Sequence, residues 1–268
     1  MKRVELFEFE DFQWFPSFIR SSLTNLIRVL HRMMGTSDVL ASLISEKAGQ
    51  VSITQVVDLG SGSGGPMIDA ISTLNQSDNN KQPINLILTD KYPNQQIVKQ
   101  INDQNLPHIK YENNSVDAHF IDKAPKGLKT MIASFHHMSP TSAQKILKSA
   151  EQNKEPILIY EIAENKIPFT IWLLLLPLSL VILMIMTWLM TPFVRPLKFS
   201  QLLFTYLIPI IPIVYAWDGQ ASLMRTYTFD DIKSLIGDTE NPHYRWEMAP
   251  AEKANGKKVG YYVFGCPQ

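Results

Sequence analysis

Six residues in one region could grip a ligand. Asp58, Gly60, Ser61, Gly62 and Gly64 lie within VVDLGSGSGG (56–65), and Asp90 closes a later apolar run, INLILTD (84–90). Glycines let a chain turn tightly and let a ligand approach the backbone without a Cβ in the way. The spacing is not G-x-G-x-x-G, and no G-K-[ST] follows, so neither phosphate-binding signature is present. A carboxylate beside the turn also sits poorly next to pyrophosphate. An acid ending the second strand can instead accept hydrogen bonds from ribose hydroxyls. The predicted ligand is a nucleoside without phosphates; a plain strand-to-helix turn is the simpler alternative.

Other residues could move protons or hold a second molecule. His136 and His137 stand in MIASFHHMSP. A histidine titrates where it can take a proton or orient an acceptor, so both are candidate catalytic residues. Adjacent histidines usually diverge, which predicts that one faces the substrate while the other caps a helix or bonds the sheet edge. Glu161 and Glu164 end PILIYEIAE; Glu161 could meet a substrate or a basic group, or the pair could cap the next helix. Asp218, Arg225 and Tyr227 follow an apolar run and are further candidates for substrate binding. Arg225 could take an anionic headgroup, but pairing with Asp218 is the simpler expectation. No His, Cys, Asp or Glu cluster has metal-ligand spacing, so no metal is expected.

These residues need a scaffold. From residue 53 the chain alternates β-branched apolar runs with amphipathic ones: strands at ITQVVDL, INLILTD, HIKYE, LKTMIASF and PILIYEIA, helices at PMIDAISTLN, PNQQIVKQIN and SPTSAQKILKSAEQ. Continuous apolar strands alternating with helices predict an α/β, doubly wound, mostly parallel sheet. YTFDDIKSLI reads as a helix capped by Thr228. Asn255-Gly256 between two β-rich runs predicts a hairpin, adding an antiparallel C-terminal strand. Ahead of the sheet, Ser21 or Ser22 could cap a helix through LTNLIRVLHRMM that stops at Gly35, with a second helix from Ser37 to Gly49. These form a helical cap, or a lid over a pocket.

The motifs as a set resemble class I S-adenosylmethionine-dependent methyltransferases. VVDLGSGSGG resembles their first motif, LILTDKYPN their second-strand acid, NSVDAHF the segment that meets adenine, MIASFHHMSP the fourth-strand motif and ILIYEIAE the fifth strand. The resemblance covers about 50–165 plus the C-terminal hairpin, with the third strand poorly marked. It implies a Rossmann-like fold with S-adenosylmethionine as cofactor. It also implies that Asp58, Gly60, Gly62 and Gly64 meet the methionine end, Asp90 the ribose, and Asp117 and Ala118 the adenine.

One insertion stands apart. No charge occurs from Pro168 to Pro192, and a second apolar run, FSQLLFTYLIPIIPIVYAW, ends at Trp217. Each approaches the ~20 residues that cross a bilayer as a helix. Trp172, Trp188, Tyr206, Tyr215 and Trp217 cluster near the ends, as at membrane interfaces. The prediction is a helical hairpin attached to a membrane. A full crossing conflicts with Arg195 and Lys198 in the turn, and Pro177, Pro209 and Pro212 should interrupt the helices. A re-entrant or interfacial hairpin and a buried dimerisation hairpin are the rivals.

The bulk properties fit. The 268 residues are 45% hydrophobic with zero formal net charge, so no basic stripe points to nucleic acid. The single Cys266 excludes a disulfide framework. MKRVELFEFEDFQW lacks an apolar core and does not read as a secretory signal. The expected organisation is a helical cap over 1–50 and a Rossmann-like core over 51–165. A membrane-associated hairpin over 166–217 follows, then a helix and β-hairpin over 218–268 that complete the core. The expected function is methyl transfer to a small hydrophobic or lipid acceptor at a membrane, with the catalytic domain on the cytoplasmic side. A non-catalytic cofactor-binding scaffold and a nicotinamide-dependent oxidoreductase are the alternatives.

Overall fold

Five short apolar runs, too hydrophobic to face water, become the parallel strands of one sheet. The computed structural model describes residues 1–77, 82–237 and 241–268. In chain order its elements are α1 (Ser17–Met34), α2 (Thr36–Gln50), β1 (Gln55–Leu59), α3 (Met67–Ser77), β2 (Asn85–Thr89), α4 (Gln95–Asn102), β3 (Ile109–Tyr111), β4 (Leu128–Ile132), α5 (Pro140–Gln152) and β5 (Ile157–Glu161). There follow α6 (Phe169–Met190), α7 (Phe199–Leu202), α8 (Ile210–Arg225), α9 (Phe229–Ile236), β6 (Tyr244–Glu252) and β7 (Lys258–Pro267). The seven strands form one sheet in the order β3-β2-β1-β4-β5-β7-β6. β1 to β5 run parallel, while β7 pairs antiparallel with both β5 and β6.

Every residue of β5, and all but the first of β1, is buried, which is why these strands read as unbroken apolar runs. The direction of winding reverses between β1 and β4, so their carboxyl ends open a crevice where ligands bind in open α/β sheets. Gly260, at φ +84°, lets β7 close on β5: a Cβ there would stand 2.1 Å from the Glu161 carbonyl oxygen.

The chain divides into two units, residues 35–163 with 229–268 and residues 1–34 with 164–228. The segment 1–50, expected to form a single cap, is therefore split: α2 belongs with the sheet, whereas α1 packs with the apolar insertion. Ser21 and Ser22 do not cap α1. Their hydroxyls donate to the carbonyls of Ser17 and Phe18 (2.9 and 2.8 Å), bonding back into a helix that already begins after Pro16.

In the second unit the insertion is not a simple pair of helices. α6 runs unbroken through Pro177, whereas the return leg is in pieces. α7 passes into a π-helical turn (Leu203–Leu207), and at Pro209 the path bends by 81° into α8. Proline at 209 brings no N–H to continue the helix, while Pro212 falls in the first turn of α8, where that N–H has no intrahelical partner anyway. Phe15, Ile19, Leu23, Leu26 and Val29 of α1 and the turn before it share a core cluster with Met190, Val194, Ile211 and Tyr215.

Candidate functional site

The glycine turn sits where the switch of winding direction opens the sheet. Leaving β1, Gly60, Gly62, Gly64 and Gly65 all adopt positive φ, between +46° and +86°. These left-handed conformations, not space, are what require glycine. At Gly62 nothing lies within 4 Å of where a Cβ would be, and at Gly64 such a Cβ would meet the Ile68 methyl at 2.6 Å, a contact that side chain could relieve by moving.

Two carboxylates bracket the turn. Asp58 is buried, and its oxygens accept from Ser61 Oγ (2.6 Å) and Thr130 Oγ1 (2.7 Å). Burial is the largest influence on it and pushes its pKa up to about 6, against the two hydroxyls, which pull it down. Asp90 ends the parallel run after β2 and accepts from the backbone N–H of Gly62 (3.1 Å) and of Tyr92 (2.8 Å). Its carboxylate is thereby tied to the glycine turn from one strand away. Tyr111, at the end of the short β3, donates its hydroxyl to the Gly62 carbonyl (2.9 Å) and clamps the same turn from the other side. Sequence reasoning missed Tyr111, since a three-residue strand carries little periodic signal.

The linkage of Asp58 to stability has a definite sign. Its folded pKa lies above the unfolded value of about 3.9. The folded state therefore holds the extra proton between those values, and stability falls as pH rises through that window. Urea unfolding of the ligand-free protein should show this group removing up to about 3 kcal/mol between pH 4 and 6, and D58N should flatten that slope.

The adenine-side candidates come next to Asp90: the Val116 N–H donates to the Asp90 carbonyl (2.9 Å). Asp117 is held by Lys91 Nζ (2.9 Å) and by the backbone N–H (3.0 Å) and Nδ1 of His119 (2.5 Å). Burial alone would raise its pKa, but these donors together hold it well below the usual carboxylate range. Ala118 follows it in the same loop.

After β4 the chain turns through Ser134 into a short 3-10 segment, Phe135–His137. His136 is buried and doubly tied to Glu161 at the end of β5. Its backbone N–H donates to Oε1 (3.0 Å), and its Nδ1 lies 2.9 Å from Oε2. Glu161 thus fixes the ring from the neighbouring strand, instead of capping a helix. The two histidines do not diverge as expected; their ring centroids are 4.2 Å apart with planes tilted 36°. The 3-10 turn advances each residue less around its axis than an extended chain would, keeping both rings on one side. Ser134, whose Oγ is buried without a hydrogen-bond partner, lies 3.9 Å from where a Gly60 Cβ would be.

The remaining candidates belong to the unit of 1–34 and 164–228. Arg225 does not pair with Asp218. It reaches Asp11 (2.5 Å) and Glu8 (3.2 Å), while Asp218 accepts the Phe9 N–H (2.8 Å). Tyr227 is buried with the Arg3 guanidinium 4.9 Å above its ring. The N-terminal strip, poor in periodic signal, supplies all these partners.

No protein-family model matches the sequence, and no curated protein matches it. Solved structures do. The plantazolicin methyltransferase BpumL, in complex with SAH, superposes with a TM-score of 0.52 at 10% identity, covering 94% of this chain and 98% of that one. This chain has a Rossmann-like methyltransferase fold. The plantazolicin methyltransferase BamL, in complex with a triazolic desmethylPZN analog and SAH, gives 0.49 at 11% identity over 94% and 98% of the two chains. LaPhzM gives 0.47 at 14% identity over 88% and 56%. In this sheet β7 meets β5 antiparallel, and the glycine turn, Asp58, Asp90 and the His136–Glu161 pair all lie at or next to the carboxyl ends of parallel strands.

Proposed function

We propose that this chain transfers a methyl group from S-adenosylmethionine to a small hydrophobic or lipid acceptor at a membrane surface. The observation that carries the reading is the Asp90 carboxylate, anchored to the Gly62 and Tyr92 N–H groups at the lip of a positive-φ glycine turn. That arrangement presents acceptors to sugar hydroxyls and, with Asp58 beside it, disfavours pyrophosphate. The comparison adds support, since the similar BpumL structure is a complex with SAH.

When bound, the cofactor supplies an electrophilic sulfonium methyl. The chain's own part is to position and to take a proton. The Gly60–Gly65 backbone lets the methionine end approach closely, Asp58 faces it, Asp90 takes the ribose hydroxyls, and the Asp117–Ala118 loop lines the adenine side. With its Nδ1–H donated to Glu161, His136 carries its basic lone pair on Nε2, the tautomer suited to receive a proton from an acceptor hydroxyl or amine. His137, stacked beside it, orients the acceptor. Exposed apolar side chains along α6 would hold the catalytic unit at the bilayer, where a lipid-soluble acceptor collects. The catalytic unit lies on the cytoplasmic side, where anionic headgroups would attract Lys166, Arg195 and Lys198 if the insertion stays on that side.

Calorimetric titration with S-adenosylhomocysteine and, separately, with a nicotinamide dinucleotide tests the cofactor. Binding of the first alone is expected; binding of the second alone would overturn the proposal. Incubating the protein with lipid extract and a methyl-labelled cofactor, followed by mass spectrometry, should reveal a labelled apolar product. Tight cofactor binding with no labelled product over a broad lipid panel would point to a scaffold instead.

A further inference from the structure

Charges in the apolar unit are segregated along the chain: its acids Glu5, Glu8, Glu10, Asp11, Glu164 and Asp218 lie outside the two stretches that carry most of its apolar residues. Residues 12–34 and 165–217 contain Arg20, Arg28, Arg32, Lys166, Arg195 and Lys198 but no Asp or Glu, in a chain whose net charge is zero. Around these cations the surface is apolar and aromatic. Leu174 is 78% exposed, Phe199 78% and Trp14 69%. Large side chains left this bare on a folded protein mark an interaction surface.

Three features bear on how such a surface would meet a bilayer. First, among the described residues only α6 is long and straight enough to cross; the return leg bends by 81° at residues 208–209. The part of α8 ahead of Asp218 is only about 12 Å long at 1.5 Å per residue, so neither arm of that leg covers a ~30 Å hydrocarbon core. Second, α1 shares its core cluster with Met190 and Val194 at the far end of α6. A crossing orientation would carry α1 with that end, taking Arg20, Arg28 and Arg32 across the hydrocarbon, where guanidinium groups are costly. Third, the turn itself carries Arg195 and Lys198, both exposed, between the exposed rings of Phe193 and Phe199.

We infer that this unit embeds in a single leaflet of an anionic phospholipid bilayer, with α6 among the acyl chains of that leaflet and the basic turn at headgroup level among lipid phosphates. The inference rests on the membrane reading of the proposed function and adds to it a depth, a topology and a lipid charge. An apolar surface rimmed by cations binds through apolar burial plus attraction of its Lys and Arg to anionic lipid. A shallow α6 keeps its leucines among acyl chains while the α1 arginines and the turn stay at the phosphates. It also leaves the bent return leg, with its buried Asp218, on the protein side of the interface.

The test uses the full chain added to preformed, sealed vesicles of phosphatidylcholine with or without phosphatidylglycerol. Flotation should show binding at least about tenfold tighter to the anionic vesicles, and the advantage should shrink in high salt and in an R195Q/K198Q variant. In a separate K198C variant, a membrane-impermeant maleimide added outside should label the bound protein; the native Cys266 is buried. Equal binding to both vesicle types would overturn the lipid-charge claim. Labelling only after the vesicles are permeabilised would overturn the single-leaflet claim. Failure to float on either vesicle, together with a stable dimer in solution, would make the apolar face a contact between two copies and remove the membrane reading. Titration with S-adenosylhomocysteine reports on the cofactor site separately, so a failure there is told apart from a failure of the surface.

Discussion

Asp90→Ala is expected to weaken S-adenosylhomocysteine binding by about 100-fold or more, read by calorimetry. The proposed role of the carboxylate is to accept from the ribose hydroxyls, and a hydrogen bond to a charged group is worth roughly 1.5–3 kcal/mol. The substitution also takes away the acceptor that holds the Gly62 N–H; Tyr111, bonded to the Gly62 carbonyl, and Thr89, whose carbonyl accepts the Ser61 N–H, still hold the turn. Asp90→Asn preserves an acceptor oxygen and should lose less, about tenfold. Thermal unfolding of both variants should stay near that of the parent, because Asp90 caps the ligand side of the sheet and does not sit in its core. Unchanged affinity in the alanine variant would mean that the crevice does not hold a nucleoside through this residue.

The second large effect is expected at the histidine. His136→Ala should lower kcat by about 10²–10⁴ while leaving S-adenosylhomocysteine affinity unchanged, the signature of a lost general base. Glu161→Gln is the more telling variant. Its amide oxygen can still accept the His136 backbone N–H, so the turn after β4 should persist. Its NH2 group, however, would face Nδ1, which must then accept. The ring proton moves to Nε2, and the basic lone pair points away from the acceptor. Nitrogen NMR of labelled His136 should show the proton on Nδ1 in the parent and on Nε2 in the variant, with kcat falling alongside. A variant in which the tautomer switches but the rate does not would remove His136 from the chemistry and leave Glu161 a purely structural partner of the turn.

The sheet was readable because β1, β4 and β5 are buried so completely that apolar and β-branched residues dominate VVDL, LKTMI and ILIYE, while the buried exceptions Asp58, Lys129 and Glu161 each have hydrogen-bond partners. Asp58, Asp90 and the glycines were readable for a related reason: a turn that needs positive φ at four places can be built only from residues that tolerate it. Helix starts were less legible. Ser21 and Ser22 resemble caps, yet a hydroxyl can equally bond back to the carbonyl four residues earlier, and the chain around Pro16 and Ser17 decided between the two.

What the sequence determined by itself is whatever depends on local backbone chemistry and on total burial: the strand-helix alternation, the glycine turn with its flanking acids, and the apolar insertion. What only the tertiary structure decided is which distant side chains meet. Nothing within 25 residues of His136 announces Glu161 as its partner; they join because β4 and β5 lie side by side and end together. Arg225 likewise lies seven residues from Asp218 in the chain, but on one helix those side chains leave at different heights, and the N-terminal acids Glu8 and Asp11 reach the guanidinium first. Hydrophobic pattern is a property of each segment, whereas a hydrogen-bonded pair is a property of the path that brings two segments together.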